Sequence, residues 1–569
     1  MQFVASPATP APAGSKRAVV LLAVLLVLLF FWRLGAVPLL EPDEGRYTEI
    51  PREMLASHDF VTPHLDAVLY FEKPPLVYWA NAAAIAAFGL NEFAARLWSA
   101  MLGLAGLGLA YALGRAMGNR RAGVIAAAAL GTMPLYVALG RLATIDMTLT
   151  FCLSAALACF WLAHREEDRG RARWLWLGAF GAAALALLAK GLIGIVIPGA
   201  IVFLYLLATR QWRVLRRVPW MGGTALFLVM AAPWHVLAAV RNPDFLWFYF
   251  VHEHLLRYLT PIAERQEPFW FFLAVLGVGC APWSGMVAAS LRPLRGARWR
   301  ERFAGAEAPL FLLIWAGFVL VFFSLSHSKL IPYVLPAVPP LAVLVGLHLD
   351  RLLDRRVVGS RLEAGGVVGA ALSVAAYGAL FLVAGLGRVQ RPGLAGVISP
   401  ALLVPGGIVL ALAIVVVVVS FARNWGAKLL VLFAAGCALV VAVMATGPVV
   451  ARERSSREIA SALRAELQPG DRVFCYRDFP ESLPVYLERP VGVVGYLGEL
   501  TFGASHLTGA QRSERFPSVE EFRAVWASPG RVFLAVSRSK LEGIDRDGFG
   551  GGRVIATTPG YALLTNAPR

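Results

Sequence analysis

Charged residues are concentrated between residues 41 and 75, directly after the first long apolar run of the chain. The chain is 58% hydrophobic and only 16% charged, and charges beside a bilayer are costly and typical of functional sites. A carboxylate held there can act as a general acid or base, or it can hold a polar substrate. The alternative is a pair of helix-start acids, Asp43 and Glu44, that favour the helix dipole. The residues of this segment that could do chemistry are Asp43, Glu44, Arg46, Tyr47, Glu72 and Lys73.

A second acid, Asp146, stands at the end of another apolar stretch, five residues after Arg141. Two acids from separate loops at one membrane face predict a shared polar pocket. Asp43, Asp146 and Glu44 are therefore the candidate catalytic residues. The alternative for Asp146 is a helix N-cap, a position that favours aspartate.

Cations and tyrosines from several loops of the same predicted face could bind a phosphate by charge-assisted hydrogen bonds. For any single cation, the alternative is a side chain that extends to the membrane surface so that its charge stays in water. The candidate substrate-binding residues are Arg46, Tyr47, Lys73, Arg141, Lys190, Arg257, Lys329 and Tyr333.

The sequence His252-Glu253-His254, together with Glu72, contains the residue types of a metal site. One histidine and one carboxylate are fewer ligands than a zinc site uses, and His-x-His places its rings well apart on a helix. An ordinary polar segment at the interface is therefore the preferred interpretation. Glu72 and His252 are retained as candidate ligands of a divalent ion such as zinc, and no cofactor is expected to be obligatory.

Membrane helices must position these residues. The long uncharged runs are each long enough to cross most of a hydrocarbon core of about 30 Å, and the mean hydropathy of +0.64 excludes an ordinary soluble protein. Arginine clusters in alternate short loops follow the positive-inside rule. They account for much of the net charge of +17, which is therefore no argument for nucleic acid. Five cysteines without a Cys-x-x-Cys motif argue against a disulfide framework.

The sequence predicts a polytopic α-helical membrane protein in three parts. Residues 1–17 form a disordered cytoplasmic segment, residues 18–450 form the transmembrane domain, and its loop at 37–94 carries the active site on the outer face. Within that loop, a short interfacial helix is predicted at 47–56. About thirteen spans follow from hydropathy and loop charge: 18–34, 95–117, 122–140, 147–164, 174–189, 191–209, 219–240, 268–290, 308–326, 330–348, 365–386, 399–421 and 429–448.

The composition changes to that of a soluble domain near residue 452, so residues 451–569 are predicted to form an α/β domain on the outer face. An odd number of spans with a cytoplasmic N-terminus places this domain outside. Its predicted elements are helices at 455–467 and 518–527, strands at 471–476, 491–496 and 531–537, and a hairpin at 554–564.

Four motifs stand out along the chain: Glu41-Pro-Asp-Glu-Gly-Arg-Tyr47, Tyr70-Phe-Glu-Lys-Pro-Pro-Leu76, Arg141-Leu-Ala-Thr-Ile-Asp146 and Ser328-Lys-Leu-Ile-Pro-Tyr-Val-Leu-Pro336. The set resembles that of the aminoarabinose transferases, membrane glycosyltransferases that use polyprenyl-phosphate sugars and are related to the protein O-mannosyltransferases. The resemblance covers the membrane region and implies a GT-C-like fold with a periplasmic α/β domain, in the inner membrane of a bacterium.

The resemblance also implies roles for individual residues. Asp43 matches the family's essential acid, Asp146 the second-loop acid, and Lys73 the lysine that binds the donor phosphate. One departure is an extra residue between Lys329 and Pro332. The resemblance further implies that the same pocket is lined by Tyr47, Arg257 and Tyr333. It matches an acid of the soluble domain to Glu499.

The implied activity is inverting transfer of 4-amino-4-deoxy-L-arabinose from undecaprenyl phosphate to a phosphate of lipid A, which gives resistance to cationic peptides such as polymyxin. Fixed cations would bind the charge that develops on the leaving phosphate more strongly than the ground-state diester. Asp43 would be a general base for a hydroxyl acceptor and an orienting group for an anionic phosphate. Two alternatives remain open: transfer to a protein hydroxyl or another envelope glycan, and transport of a lipid or sugar.

Overall fold

The computed structural model describes residues 13–260, 267–291, 307–354, 361–386, 400–422 and 424–567. Most of the predicted N-terminal segment at 1–17, and the connection that follows the predicted span 365–386, lie outside the described residues. The α-helices up to residue 454 are Ala13–Phe31, Asp43–Ser57, Leu76–Phe88, Glu92–Met117, Arg120–Leu130, Pro134–Gly140, Ile145–Arg165, Arg169–Lys190, Ile193–Thr209, Trp220–Arg241, Arg257–Leu259, Phe271–Gly279, Ser284–Leu291, Glu307–Leu325, Val338–Asp354, Arg361–Gly385, Leu403–Ser420 and Trp425–Arg454.

Four shorter pieces of other helix types complete this region. The 3₁₀ segment Ile331–Ala337 leads into the helix that follows it, and a π-helix spans Trp247–Leu256. The remaining 3₁₀ segments are Trp212–Arg217 and Pro400–Leu402.

Among the described residues, nine helices are long and apolar enough to cross a membrane, or eleven if each of two bent pairs forms one span. The polytopic helical fold is thereby confirmed. The predicted count of thirteen is not confirmed. It would also require the helices Ala13–Phe31 and Ile193–Thr209 to cross the membrane, and the second of these has 17 residues.

Two of the predicted straight spans are bent. The span predicted at 122–140 consists of Arg120–Leu130 and Pro134–Gly140, which meet at 68°, and that at 268–290 consists of Phe271–Gly279 and Ser284–Leu291, which meet at 114°. Proline lacks a backbone N–H and its ring clashes with the preceding turn. Pro134 begins the second helix of its pair, and a proline also stands in the second break, at position 282.

The two ends of the helical bundle carry different side chains. At one end, which we call the basic end, Arg121 pairs with Asp350 at 2.5 Å, and Arg165 pairs with Glu307. Helix Ile145–Arg165 runs from the opposite end, where it begins beside Asp146. Its 21 residues span about 30 Å at 1.5 Å per residue, so Asp146 lies a bilayer core's thickness from the basic end. We call that opposite end the site end.

The C-terminal part contains a five-stranded mixed sheet in the order β4-β3-β5-β7-β6. Strands β4, β3 and β5 are parallel, whereas β7 pairs antiparallel with both β5 and β6. A separate antiparallel hairpin, β1 and β2, lies in the long loop of the site end. The strands are β1 His64–Leu65, β2 Val68–Leu69, β3 Arg472–Tyr476, β4 Gly492–Val494, β5 Val532–Ser537, β6 Arg553–Thr557 and β7 Tyr561–Thr565.

Helices and 3₁₀ turns connect these strands, and the predicted elements of this part are confirmed within a few residues. The predicted domain boundary stays a prediction, and helix Trp425–Arg454 runs across it. The connecting α-helices are Arg457–Glu466, Ser482–Leu487, Thr501–Ser505, Gly509–Arg515, Val519–Trp526 and Leu541–Asp547. The 3₁₀ turns are Gly498–Leu500 and Arg538–Lys540.

The C-terminal sheet and the long loop of the site end share one hydrophobic core. Tyr47, Ile50 and Tyr78 pack in a single cluster with Cys475 and Phe533 of the sheet. At Gly45, a Cβ atom would collide with the backbone of Glu481 and Ser482. Glycine therefore allows helix Asp43–Ser57 to lie directly against the C-terminal part.

Candidate active site

Helix Asp43–Ser57 carries the first group of predicted site residues. It begins at Asp43, so the helix-start position that was the alternative for Asp43 and Glu44 is what the structure shows. The Glu44 carboxylate accepts hydrogen bonds from Arg96 at 2.7 and 2.6 Å and from the backbone N–H of Ala143 at 2.9 Å. Glu44 is 2% exposed and is thus fully engaged in holding the helix to the bundle.

Arg46 joins this helix to the C-terminal part through a group of acids. Its guanidinium lies 3.5 Å from Asp43, 3.1 Å from Glu481 and 2.6 Å from Glu499. Burial opposes the charged form of Arg46, but these carboxylates outweigh it and raise its pKa well above the ordinary value. The Asp43 side chain is 43% exposed and that of Glu499 is 22% exposed, so Asp43 is the carboxylate of this group that an incoming substrate can reach most easily.

A second group lies around Glu72 and Glu253. Lys73 Nζ is 3.3 Å from Glu253 Oε2, and Arg257 Nη1 is 2.6 Å from Glu253 and 3.0 Å from Glu72. Burial opposes ionisation of Glu253, yet Lys73 and Arg257 lower its pKa to about 2. Burial, together with Glu499 and Glu253, raises the pKa of Glu72 to about 7. The group therefore contains one firmly ionised carboxylate and one that titrates near neutrality.

A third group contains Asp146, Lys190 and Tyr333. Lys190 forms an ion pair with Asp146, and its ammonium lies 4.5 Å from the centre of the Tyr333 ring, a cation–π contact. The N-cap of helix Ile145–Arg165 is Thr144, so the N-cap alternative for Asp146 is wrong. Asp146 instead fixes the position of a lysine.

The second and third groups meet at a cavity of about 100 Å³, which we call the cation cavity. Lys73, Lys190 and Arg257 reach it from three separate elements of the chain. Its polar wall also includes Ser326 and Ser328, and its apolar wall includes Ile193, Phe322 and Phe323. Glu253, Tyr258 and Tyr333 complete the lining, so the cavity holds three cations and one carboxylate. Three cations beside apolar walls form a site suited to a phosphate attached to a hydrocarbon chain.

Tyr47 connects the first group electrostatically with the third. Burial raises its pKa well above the usual value, and the charges of Asp43 and Asp146 both add to that effect. Tyr70 makes a similar link between the first and second groups, since its hydroxyl donates to Glu499 at 3.4 Å. Burial raises the pKa of Tyr70 well above the usual value, and the charge of Glu72 adds to that effect. The three groups thus lie within electrostatic reach of one another.

Arg141 and Lys329 do not line the cation cavity. Arg141 donates to the backbone carbonyls of Leu29, Phe30 and Trp32 at 2.7–2.9 Å. Lys329 is 8% exposed and donates to the carbonyl of Ser326 at 2.7 Å. Their predicted phosphate contacts stay predictions.

The candidate metal ligands are engaged with other side chains. The His252 ring lies over Phe248 with the ring centres 5.1 Å apart, and its Nδ1 is 3.2 Å from Glu253. Glu72 accepts from Arg257. Within the described ranges, no group of three or more histidine, cysteine, aspartate or glutamate residues has the geometry of a metal site. Zinc binding at Glu72 and His252 stays a prediction.

Sequence reasoning missed Glu253 as a site residue, although it pairs with two of the predicted cations. A signal for it was present, because Glu253 and Arg257 are four residues apart, the spacing of an ion pair on a helix. It also missed Arg96, the partner of Glu44, which is isolated in an apolar span. A lone arginine at the start of a membrane helix predicts a buried acidic partner.

Comparisons with known proteins agree with this architecture. Residues 16–250 match the model of the dolichyl-phosphate-mannose-protein mannosyltransferase family. Residues 459–559 match the aminoarabinose transferase C-terminal domain. The crystal structure of ArnT from Cupriavidus metallidurans bound to undecaprenyl phosphate superposes with a TM-score of 0.82 at 31% identity, covering 97% of this chain and 98% of that one. The chain belongs to the aminoarabinose transferase family.

Two curated members of the aminoarabinose transferase family extend the comparison. Both are named undecaprenyl phosphate-alpha-4-amino-4-deoxy-L-arabinose arabinosyl transferase. The protein from Edwardsiella ictaluri is 32% identical over 64% of this chain and 64% of its own length, and that from Erwinia tasmaniensis is 32% identical over 66% and 67%. The aligned part thus spans about two thirds of these relatives. The predicted family and GT-C-like fold class are confirmed.

Proposed function

We propose that the chain is an inverting glycosyltransferase that moves 4-amino-4-deoxy-L-arabinose from undecaprenyl phosphate to a phosphate of lipid A. The observation that carries the proposal is the convergence of Lys73, Lys190 and Arg257 on the cation cavity. The named activity of the two curated relatives and the undecaprenyl phosphate bound to the Cupriavidus metallidurans protein support the choice of donor.

In this proposal, the cation cavity holds the phosphate of the donor lipid. Breaking the bond between the sugar and the phosphate turns a singly charged diester into a monoester with additional negative charge. Lys73 and Arg257 are already fixed in place by Glu253, so they stabilise this charge without reorganising. A monophosphate leaving group needs less neutralisation than a diphosphate, and we propose that no metal ion is obligatory.

The first group of residues would then receive the sugar. The 4-amino group of the donor is a cation near neutral pH, and Asp43 and Glu499 are carboxylates of the first group whose side chains are 43% and 22% exposed. Such carboxylates can hold an ammonium by charge-assisted hydrogen bonds. An acceptor phosphate is already anionic, so attack on the sugar needs no general base. We therefore propose that Asp43 orients the substrates.

We also propose that the site end faces the periplasm and that the chain lies in the bacterial inner membrane. Arg121 and Arg165 stand at helix ends of the basic end, and arginine-rich segments at the ends of membrane helices stay in the cytoplasm. The donor and acceptor sites would then lie in the outer half of this membrane. Modified lipid A carries less negative charge, so the activity would protect the cell from cationic peptides such as polymyxin.

The test is product formation by the purified protein in detergent. Undecaprenyl-phosphate-linked 4-amino-4-deoxy-L-arabinose is offered with lipid A, and lipid A is analysed by mass spectrometry. The proposal expects the mass of one pentosamine to be added, and expects Asp43→Asn to abolish the addition while the exposed control Glu167→Gln retains it. If the sugar is transferred only to a peptide hydroxyl or a glycan, lipid A is not the acceptor and that part of the proposal is wrong. No product with any acceptor would refute the enzyme and favour a transporter.

A further inference from the structure

A second cavity lies at the site end and shares no residue with the cation cavity. It has a volume of about 180 Å³ and lies between the end of the first helix, the bent segment that ends at Gly140, and helix Trp425–Arg454. Its cations are Arg33, Arg96 and Arg141, and its apolar wall includes Val443, Met444 and Val450. We call it the arginine cavity.

Two of its three arginines have no acidic partner among the described residues. Arg96 is neutralised by Glu44. Over the described parts of the chain, no carboxylate lies within ion-pair distance of Arg33 or Arg141, whereas Arg46, Arg121 and Arg257 each pair with at least two. Positive charge beside apolar surface is costly when unpaired. An anion from outside the protein would therefore stabilise these two side chains.

Arg141 is held in place for such a contact. Its Nη1 donates to the carbonyls of Leu29 and Phe30, and its Nη2 donates to that of Trp32. A guanidinium has five N–H donors, so these three bonds fix its plane, and the Nε–H and one Nη2 hydrogen have no acceptor among the residues that the structure describes. The charge is therefore pre-organised and retains donors for a bidentate acceptor such as phosphate.

The cavity stands at the depth of lipid headgroups. Trp32, which precedes Arg33, is 62% exposed, and exposed tryptophans at helix ends mark the membrane–water interface. Arg33 itself is exposed, while the wall formed by Val443 and Met444 is only partly covered by protein. The arginines lie at the membrane–water interface and the apolar wall lies next to them. This arrangement fits a lipid with an anionic headgroup.

We propose that the arginine cavity binds the phosphate headgroup of an anionic lipid at the site end, and that it selects such lipids over zwitterionic ones. The phosphate would lie between Arg33 and Arg141, and an acyl chain would lie along helix Trp425–Arg454. Binding there would also bear on the reaction site, because Arg96 lines the cavity and holds Glu44, the neighbour of Asp43. The proposal does not depend on the sugar or acceptor of the reaction.

The chain offers a matched pair of variants for the test. Arg33 and Arg210 are both exposed arginines in the left-handed backbone region, with φ of 53° and 59°. Arg210 ends helix Ile193–Thr209 and leads to the loop in which Gln211 contacts Glu307 at the basic end. The substitutions Arg33→Gln and Arg210→Gln therefore remove the same charge from the same backbone conformation at opposite ends of the bundle.

The experiment is native mass spectrometry of the full chain with equimolar dioleoyl phosphatidic acid and dioleoyl phosphatidylcholine, with undecaprenyl phosphate added at saturation. The wild type and Arg210→Gln are expected to retain phosphatidic acid over phosphatidylcholine by about tenfold, and Arg33→Gln is expected to lose most of that preference because a charged hydrogen bond is lost. Val443→Phe fills the apolar wall without changing a charge, and it is expected to lose the bound lipid as well.

The proposal is overturned if the wild type retains both lipids equally, or if Arg33→Gln keeps the wild-type preference. Equal loss in Arg33→Gln and Arg210→Gln would also overturn it, since that result indicates a nonspecific effect of net charge. If Arg33→Gln does not fold, retention of phosphatidic acid by Val443→Phe decides against the cavity. Lipid A added as competitor identifies the source of the phosphate: displacement of phosphatidic acid supports an acceptor lipid, and its persistence supports a resident phospholipid.

Discussion

Replacing Lys73 by methionine tests the assignment of the cation cavity to the leaving phosphate. Methionine keeps most of the apolar stem of lysine and removes its charge and donors. At an effective dielectric constant of about 20, one unit charge interacts with another at 4 Å with about 4 kcal/mol. Only the charge gained between ground state and transition state affects the rate. We therefore expect a loss of about 3–4 kcal/mol in the barrier, or roughly 10²–10³ in kcat.

The fold should tolerate this change. Glu253 loses Lys73 at 3.3 Å but keeps Arg257 at 2.6 Å, so its charge stays compensated. We expect the free energy of unfolding to change by only about 1 kcal/mol, the value of an ordinary hydrogen bond. A loss of activity without a loss of stability would separate catalysis from folding.

The assay is the rate of pentosamine addition to lipid A at saturating donor, and thermal unfolding is measured on the same samples. Lys428→Met is the control, since Lys428 is 8% exposed and its ammonium lies 4.5 Å from the Trp425 ring, far along the bundle from the cation cavity. The control should keep wild-type kcat. If Lys73→Met retains kcat within about threefold of the wild type, Lys73 does not stabilise the leaving phosphate and the reasoning fails.

Three further predictions concern the stability of the segments around the site, its pH dependence and the orientation of the chain in the membrane. Glu44→Gln leaves Arg96 buried without a charge partner, and we expect it to lower the free energy of unfolding by about 3 kcal/mol in denaturant titrations. Burial raises the pKa of Asp66 to about 7, so its contribution to stability is present at acid pH and is lost as pH rises from about 4 to 7. Thermal unfolding from pH 4 to 8 should show a smaller decrease in Asp66→Asn. A cysteine replacing the exposed Ala510 should react with an impermeant reagent on intact cells, whereas one replacing Glu167 should react only after lysis.

Each of these predictions has a result that would contradict it. Wild-type stability of Glu44→Gln would mean that Arg96 finds other compensation. An unchanged pH profile in Asp66→Asn would show that Asp66 does not titrate in this range, since the variant keeps the oxygen that accepts from Val491 at 2.8 Å. Labelling of Ala510→Cys only after lysis would invert the proposed orientation of the chain.

The elements of the fold were largely readable in the sequence because apolar length determines membrane helices. The bends were not predicted, although Pro134 marks one of them. A proline in an apolar run can begin, kink or end a helix, and neighbouring helices decide among these outcomes. Helix Ile193–Thr209 contains Pro198 in its interior without a break. The count of spans depends on such tertiary choices.

The candidate site was predictable in its residues but not in their pairing. Asp43, Lys73 and Asp146 stand out because charge is rare in this chain. The partners of Lys73 and Asp146 are Glu253 and Lys190, and Arg46, the partner of Asp43, also contacts Glu481. These three long-range contacts join residues 44 to 435 positions apart. Such distances in sequence carry no periodic signal, so spacing alone could not pair Asp146 with Lys190. Nor could it show that Glu44 is buried against Arg96 whereas its neighbour Asp43 is exposed.

The contact at Gly45 has a consequence for exchanging parts between members of the family. Helix Asp43–Ser57 lies against the backbone of Ser482, and the Glu41 carboxylate accepts from the Ser482 N–H at 3.0 Å. The C-terminal part therefore helps to determine the conformation of the segment that carries Asp43. A chimera that takes its C-terminal part from a relative would also need residues 41–57 of that relative. Otherwise the two surfaces would not fit, and the candidate site residues of helix Asp43–Ser57 would be displaced.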